Sequence, residues 1–240
     1  MKEIRERLHY LDVAKGLLML LVIIHHTFIY NNESLKDCDI DLIMPIQNFW
    51  VSFFMPAFFV ITGYCTNFNR KFGDYVWRNF KSIMIPAWFF TIFSLMKLPQ
   101  IDIADAARSI LLYGSGWWFL SALFFSKIIY WFLLHYLKKN ILLATLVILS
   151  FLSTVFNEMN SQINYFYYKE ILNLTLFLWI GSECKSFMNK RSVGIISTAV
   201  FVVVTLLSIK LFGKVPSVTF GFNCTMAQYP LYLLLSVTGS

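Results

Sequence analysis

The sequence predicts an all-α, polytopic membrane bundle of about eight transmembrane helices, and three observations carry that reading. Hydrophobic residues make up 58% of the 240, aromatics 18% and charged residues only 14%, where a soluble protein carries about 25% charged. The mean hydropathy of +0.64 leaves too little polar surface to clothe a water-soluble globule. The apolar runs are continuous over helical lengths rather than alternating, which disfavours a β-barrel. At about 20 residues per span plus a short connection, the chain holds roughly seven to nine spans.

In chain order the runs fall at 13–30, 42–65, 80–98, 117–137, 141–156, 171–184, 193–212 and 224–238. The first follows a basic stretch and imitates a signal peptide. Polar, bulky Asn31-Asn32-Glu33 offers no small-residue cleavage site, so it reads as an uncleaved anchor. Pro45, Pro56 and Pro86 lie within or at the ends of helices, where neighbours and Ser or Thr hydroxyls can satisfy the backbone groups they free. There is no internal repeat, no linker and no soluble appendage, so residues 1–240 read as a single domain.

The loops sort by charge. Lys2, Arg5 and Arg7 precede the first span, and Arg70, Lys71, Arg78 and Lys81 separate the second and third. Lys138 and Lys139 follow the fourth, and Lys185, Lys190 and Arg191 follow the sixth. The intervening loops hold Lys36, Arg108, Lys169 and Lys214 among more numerous acids, including Glu33, Asp37, Asp39, Asp102, Asp105, Glu158 and Glu170. By the positive-inside rule the N-terminus is cytoplasmic. The net charge of +7 is thereby a topology signal, and nothing in it calls for nucleic acid.

Ionisable residues inside a membrane are costly and mark function by default. The first span carries Asp12, Lys15, His25 and His26. At 100° per residue, Lys15 and His26 fall about 20° apart on the helix, roughly 16 Å apart along its axis. Asp12 is three residues before Lys15, within ion-pair reach. Lys15 could instead snorkel to the interface with Asp12 as its neutralising partner. For His26, a buried neutral imidazole bonded to a neighbour explains the residue equally well on geometry alone. His25 and His26, being adjacent, point about 100° apart and chelate a metal poorly, so no metal is expected.

Other features are less specific. Lys127 sits mid-span and must face inward, towards an anionic group or an unidentified carboxylate. Lys169 and Glu170 read as a solvated edge, Gly114-Ser115-Gly116 as a flexible entry to the following helix. Of four cysteines, Cys38 and Cys224 map to the outer side, where a disulfide is compartment-compatible.

Several stretches together resemble the membrane-bound acyltransferase family 3, bacterial-type O-acyltransferases of cell-surface glycans. They run from Tyr10-Leu11-Asp12-Val13-Ala14-Lys15-Gly16 to His26-Thr27, then Phe53-Phe54-Met55-Pro56-Ala57-Phe58-Phe59-Val60-Ile61-Thr62-Gly63-Tyr64. Arg78-x-x-Lys81 before Ile85-Pro86 and Gly116-Trp117-Trp118-Phe119-Leu120 complete the match, which covers about 11–124. In that family a basic residue is followed by ten residues and a histidine, here Lys15 and His26, with arginine common where Lys15 stands. His25 takes no role from it.

The resemblance implies that an acyl group, usually acetyl, passes from cytoplasmic acyl-CoA to a hydroxyl of a cell-surface or lipid-linked carbohydrate. His26 is then the general base, a transient acyl-histidine being a lesser variant. Lys15 and Asp12 organise the donor end, Arg78 and Lys81 hold its phosphates, and Trp118 and Phe119 line the acceptor or pantetheine path. Acetyl-CoA is the co-substrate, no metal takes part, and the setting is the bacterial cytoplasmic (inner) membrane. A glycan or lipid exporter without acyl transfer is the alternative, though paired broken helices and inverted repeats are missing. Members of that family usually have about ten spans, so a chain ending at Val237-Thr238-Gly239-Ser240 reads as truncated or unusually short.

Overall fold

The structure is a computed structural model that describes residues 9–30, 49–96, 103–115, 117–159, 164–183, 191–217 and 224–240. Among them helices are joined by turns and short connections, with no strand. Among the described residues ten α-helices follow one another: α1 (His9–Tyr30), α2 (Phe54–Cys65), α3 (Phe72–Asn79), α4 (Ile85–Met96), α5 (Ile103–Tyr113), α6 (Trp118–Tyr136), α7 (Lys139–Met159), α8 (Tyr168–Glu183), α9 (Arg191–Phe212) and α10 (Tyr229–Gly239). Four stretches, His9–Thr27, Trp118–Tyr136, Lys139–Met159 and Ser192–Phe212, are long and apolar enough to cross a membrane. Their outward faces carry Leu17, Leu20 and Ile23 on α1 and Val203, Leu206 and Ile209 on α9, all exposed, as lipid contact requires.

The bundle is built around α8, which packs on α2, α6 and α7. Its Leu174, Phe177 and Leu178 are fully buried. Two glycines set the α2–α8 approach. A Cβ on Gly63 would strike the carbonyl of Leu178, and one on Gly181 would strike that of Val60. The two backbones are therefore in direct contact, as small residues at membrane-helix crossings permit.

A chain of hydrogen bonds links three helices inside the bundle. The Ser150 hydroxyl donates to Asn173 Oδ1 at 2.7 Å, and the Asn173 amide donates to the Tyr232 hydroxyl at 2.5 Å, tying α7, α8 and α10 together. Asn173→Leu removes the centre of this chain and is expected to cost roughly 1–2 kcal/mol, about what interhelical hydrogen bonds contribute in membrane bundles. Thermal unfolding of the purified protein checks this, and an unchanged midpoint would contradict it.

Prolines shape two helix starts. Pro56 has no N–H to give the Ser52 carbonyl, four residues before it, and the helix is interrupted at Ser52 and Phe53. The Ser236 hydroxyl of α10 donates to that freed carbonyl at 2.8 Å, and Ser217 donates to the carbonyl of Val51 at 3.2 Å. Pro86 likewise cannot serve the Ser82 carbonyl, and the chain from Phe80 to Met84 widens into a π-helical turn between α3 and α4.

Several expectations change on contact with the structure. The apolar run at 224–238 becomes helical only from Tyr229. Before it, Thr225 N–H bonds the Gln228 side chain in a turn, with Pro230 in the first turn of α10. Two short amphipathic helices, α3 and α5, occupy what read as loops. Lys169 and Glu170 are not a solvated edge, since they keep only 2% and 5% of their exposure. The Asn164 amide donates to Glu170 Oε2 at 2.8 Å, and a turn with Phe166 and Tyr167 at φ of 52° and 59° precedes the pair. Two consecutive aromatic residues in the left-handed region store strain that the surrounding packing must hold.

Gly114-Ser115 is likewise no flexible entry. Gly114, at φ +80°, accepts a 2.6 Å bond on its carbonyl from the Trp88 indole N–H, and the buried Ser115 and Ser121 hydroxyls are 2.7 Å apart. Gly116 lies outside the described residues. Cys38 does too, and Cys224 is a buried free thiol rather than half of a disulfide.

Candidate active site

The first helix presents its ionisable groups in two registers. Leu11, Leu18 and His25 are buried, spaced by seven residues, so they form the seam of α1. Lys15 and His26 lie about 60° and 80° around from Leu18, at the edge of that seam. Both are accordingly half-buried rather than enclosed. His25, which the sequence reading left without a role, is the imidazole that faces the bundle, 5.8 Å from the Phe54 ring and 5.6 Å, edge on, from His26. The heptad of Leu11, Leu18 and His25 was the available signal for it.

His26 has a defined orientation. Its Nδ1 lies 2.9 Å from the carbonyl of Val22, one turn earlier on the same helix. A carbonyl only accepts, so Nδ1 carries the N–H and donates, leaving the lone pair on Nε2. That is the tautomer a general base needs, with the basic nitrogen turned away from the helix that holds the ring.

At the other end of α1, Lys15 Nζ stands 4.0 Å from Asp12 Oδ1 and 3.9 Å from the Cys65 thiol, at the end of α2. The Tyr10 hydroxyl donates to that of Tyr64 at 3.3 Å. Asp12 is exposed, and the Lys15–Asp12 pair is open to solvent on both sides, so its contribution to stability is small. The antiparallel run of α1 and α2 therefore places Lys15 by Cys65 and His25 by Phe54.

Arg78 lies in the last turn of α3 and Lys81 in the π turn that follows it. Together with Asp74, Trp77 and Ser82 they line an open cavity of about 390 Å³. Lys81 Nζ sits 4.9 Å from the centre of the Trp77 ring. Arg78 closes α3 and Lys81 falls in the π turn, so the widening that Pro86 forces brings both cations and Ser82 to one opening. Asp74 on the same wall tempers their field. Beneath, Tyr75 is buried against α6, its hydroxyl donating to the carbonyl of Lys127 at 3.4 Å. Burial pushes that phenol above its ordinary range, keeping it a neutral donor.

Trp118 and Phe119 stand half-buried at the start of α6. Phe119 packs edge-on against Phe58 at 5.5 Å and Phe59 at 5.8 Å, and both residues bridge the two larger apolar clusters of the bundle. Phe119→Ala is expected to lower the unfolding temperature of the purified protein, since such a truncation costs about 3 kcal/mol or more. A change confined to substrate KM with stability intact would contradict the packing role.

Among the described residues, no three His, Cys, Asp or Glu side chains converge to hold a metal ion. The two ends of the bundle differ in character. Arg70 accepts the Trp131 indole N–H on its carbonyl at 3.1 Å, and Lys139 pairs with Glu183 at 2.6 Å, both at the end that carries Lys15 and Cys65. Glu158 meets the Met226 N–H at 3.2 Å at the opposite end.

A family model described as an acyltransferase domain matches residues 8–238, well beyond the first half of the chain where the motifs are concentrated. No curated protein and no solved structure matches the chain.

Proposed function

The chain belongs to acyltransferase family 3, and on that premise we propose that this membrane acyltransferase moves an acetyl group from cytoplasmic acetyl-CoA to a hydroxyl of a cell-surface or lipid-linked carbohydrate. The observation that carries the residue assignment is the Nδ1 contact of His26 with the Val22 carbonyl at 2.9 Å, which leaves Nε2 basic. An imidazole is suited to this work near neutral pH, where it both takes and returns a proton.

In this reading Nε2 of His26 takes the proton of the acceptor hydroxyl as its oxygen attacks the thioester carbonyl carbon. The C–O bond forms, the C–S bond breaks, and the departing thiolate recovers the proton from the imidazolium. An ester and free coenzyme A result, with no oxidant, reductant or metal required. Arg78 and Lys81 hold donor phosphates at the mouth of the cavity that they line. Lys15, steadied by Asp12, stands on the same helix as the base and neutralises charge near the donor end. Trp118 and Phe119 support the site by fixing α6 against α2.

The basic loops favour a cytoplasmic N-terminus in a bacterial inner membrane, which puts Lys15, Arg78 and Lys81 on the side where acyl-CoA is found. The test is reconstitution in lipid nanodiscs with acetyl-CoA and a glycan-bearing membrane extract. Release of free coenzyme A that depends on the extract, with an ester appearing in the carbohydrate fraction, is expected. Acetyl-CoA left intact beside a folded protein would overturn the reading.

A further inference from the structure

We propose that Trp77 is the platform on which the adenine base of the acyl donor stacks, beside the phosphates held by Arg78 and Lys81. The proposal rests on the acyl-CoA reading above and deepens it, naming the residue that recognises the nucleotide end of the donor. Trp77 lies on α3 and lines the open cavity with Asp74, Arg78, Lys81 and Ser82. It keeps 57% of its exposure, so much of its indole is open to a ligand.

The ring is held from the bundle side. The Phe80 ring lies nearly parallel to it, at 9° and 5.9 Å between centres, and Phe80 in turn meets the Trp88 ring edge-on at 5.2 Å. The Trp88 indole is tied through its N–H to the Gly114 carbonyl. An aromatic surface fixed beforehand gives up little freedom on binding. Lys81 Nζ stands 4.9 Å from the centre of the same indole. That ammonium ends a flexible stem and can follow a phosphate to the side of the ring. A flat π surface and a cation are thus neighbours, which suits a base joined through a ribose to phosphate.

The rest of the lining separates a nucleotide from simpler anions. Asp74 sets a carboxylate among the two cations. It opposes a bare phosphate and suits a ligand that also brings donors, the amino group of a base and the hydroxyls of a ribose. Ser82 adds a hydroxyl that both donates and accepts. The volume of about 390 Å³ falls within the range of small-molecule sites, about 300–1,000 Å³. A tryptophan at a basic helix end also serves as an interfacial anchor. Anchoring accounts for the ring and gives the carboxylate among the cations no part.

The experiment compares donors on the reconstituted protein. Trp77→Leu is expected to raise KM for acetyl-CoA by about five- to a hundredfold, the range for losing base–aromatic stacking, with kcat near wild type. KM for acetyl-phosphopantetheine, which keeps a phosphate and lacks the adenosine, should be unchanged. Trp77→Phe should recover most of the loss with acetyl-CoA. Where Trp77→Leu does not fold, Trp77→Met against Trp77→Phe makes the same comparison. Equal rises in KM with both donors, an unchanged KM for acetyl-CoA, or a fall in kcat at constant KM would overturn the proposal in favour of a structural or anchoring tryptophan.

If wild-type protein turns over no acyl-CoA, the donor reading fails by itself. Calorimetry with adenosine diphosphate and with inorganic pyrophosphate then tests the platform. Weaker binding of adenosine diphosphate alone by Trp77→Leu upholds it, and equal binding, or none by the wild type, overturns it. A lipid contact is separated by repeating the measurements in phosphatidylcholine and phosphatidylglycerol nanodiscs. An effect of Trp77→Leu that appears only with the anionic lipid would overturn the assignment to the donor.

Discussion

His26→Ala is expected to abolish acyl transfer while leaving a folded, membrane-inserted protein. The expected loss in kcat is about two to four orders of magnitude, the range a positioned general base contributes. Folding should survive because the side chain sits half-buried at the edge of the α1 seam and bonds a carbonyl of its own helix. His26→Gln keeps a donor to the Val22 carbonyl and much of the volume but supplies no basic nitrogen, so it should be as inactive as alanine. His25→Ala is the informative contrast. It removes a buried ring packed against Phe54, so its main expected effect is on stability rather than on turnover per folded molecule. Reversed phenotypes for the two histidines would move the base to His25.

Gly63→Val and Gly181→Val are expected to prevent the bundle from forming at all. At each position the added carbon would meet backbone of the opposing helix, carbonyls of Leu178 and Val60, which cannot rotate out of the way as a side chain can. Overpacking against side chains commonly costs about 1–3 kcal/mol, and separating two backbones should exceed that because every contact along α2 and α8 loosens together. Even alanine should lower the unfolding temperature at either site. Gly194→Ala, on α9 with open space where its Cβ would lie, should change nothing. Size-exclusion profiles and thermal unfolding in detergent check the set, and a well-folded Gly181→Val protein would contradict the crossing.

How much of this was legible beforehand follows from what hydropathy measures. It marked α1, α6, α7 and α9, which are long and apolar enough to cross a membrane, and the run at 171–184 that is α8. It misread the start of α8, where Lys169 and Glu170 look like a solvated edge yet are buried. A helix surrounded by protein can carry polar groups that find partners there, as Asn173 does with Ser150 and Tyr232. Charge patterning assigned Lys15 and Cys65 to the same end of the bundle, and the fold brings them to 3.9 Å.

At the site, spacing alone placed Lys15 and His26 on one stripe, and that stripe is present. What spacing could not supply was the direction of the stripe relative to α2, which depends on the seam of Leu11, Leu18 and His25. The Trp118-Phe119 segment reads from sequence either as packing or as a binding path, and the Phe119 ring meets Phe58 and Phe59 of α2. The cavity holding Arg78 and Lys81 depends on the π turn before Pro86, which no periodicity announces.

The central claim, that this chain esterifies carbohydrate hydroxyls, is tested most directly by mass spectrometry of envelope glycans. Cells producing the wild-type chain, the His26→Ala variant and no chain are compared, with and without mild alkali to cleave esters. The account predicts alkali-labile acyl groups on a carbohydrate only in the wild-type cells. Identical acylation in all three, with the wild-type protein present in the membrane, would contradict it.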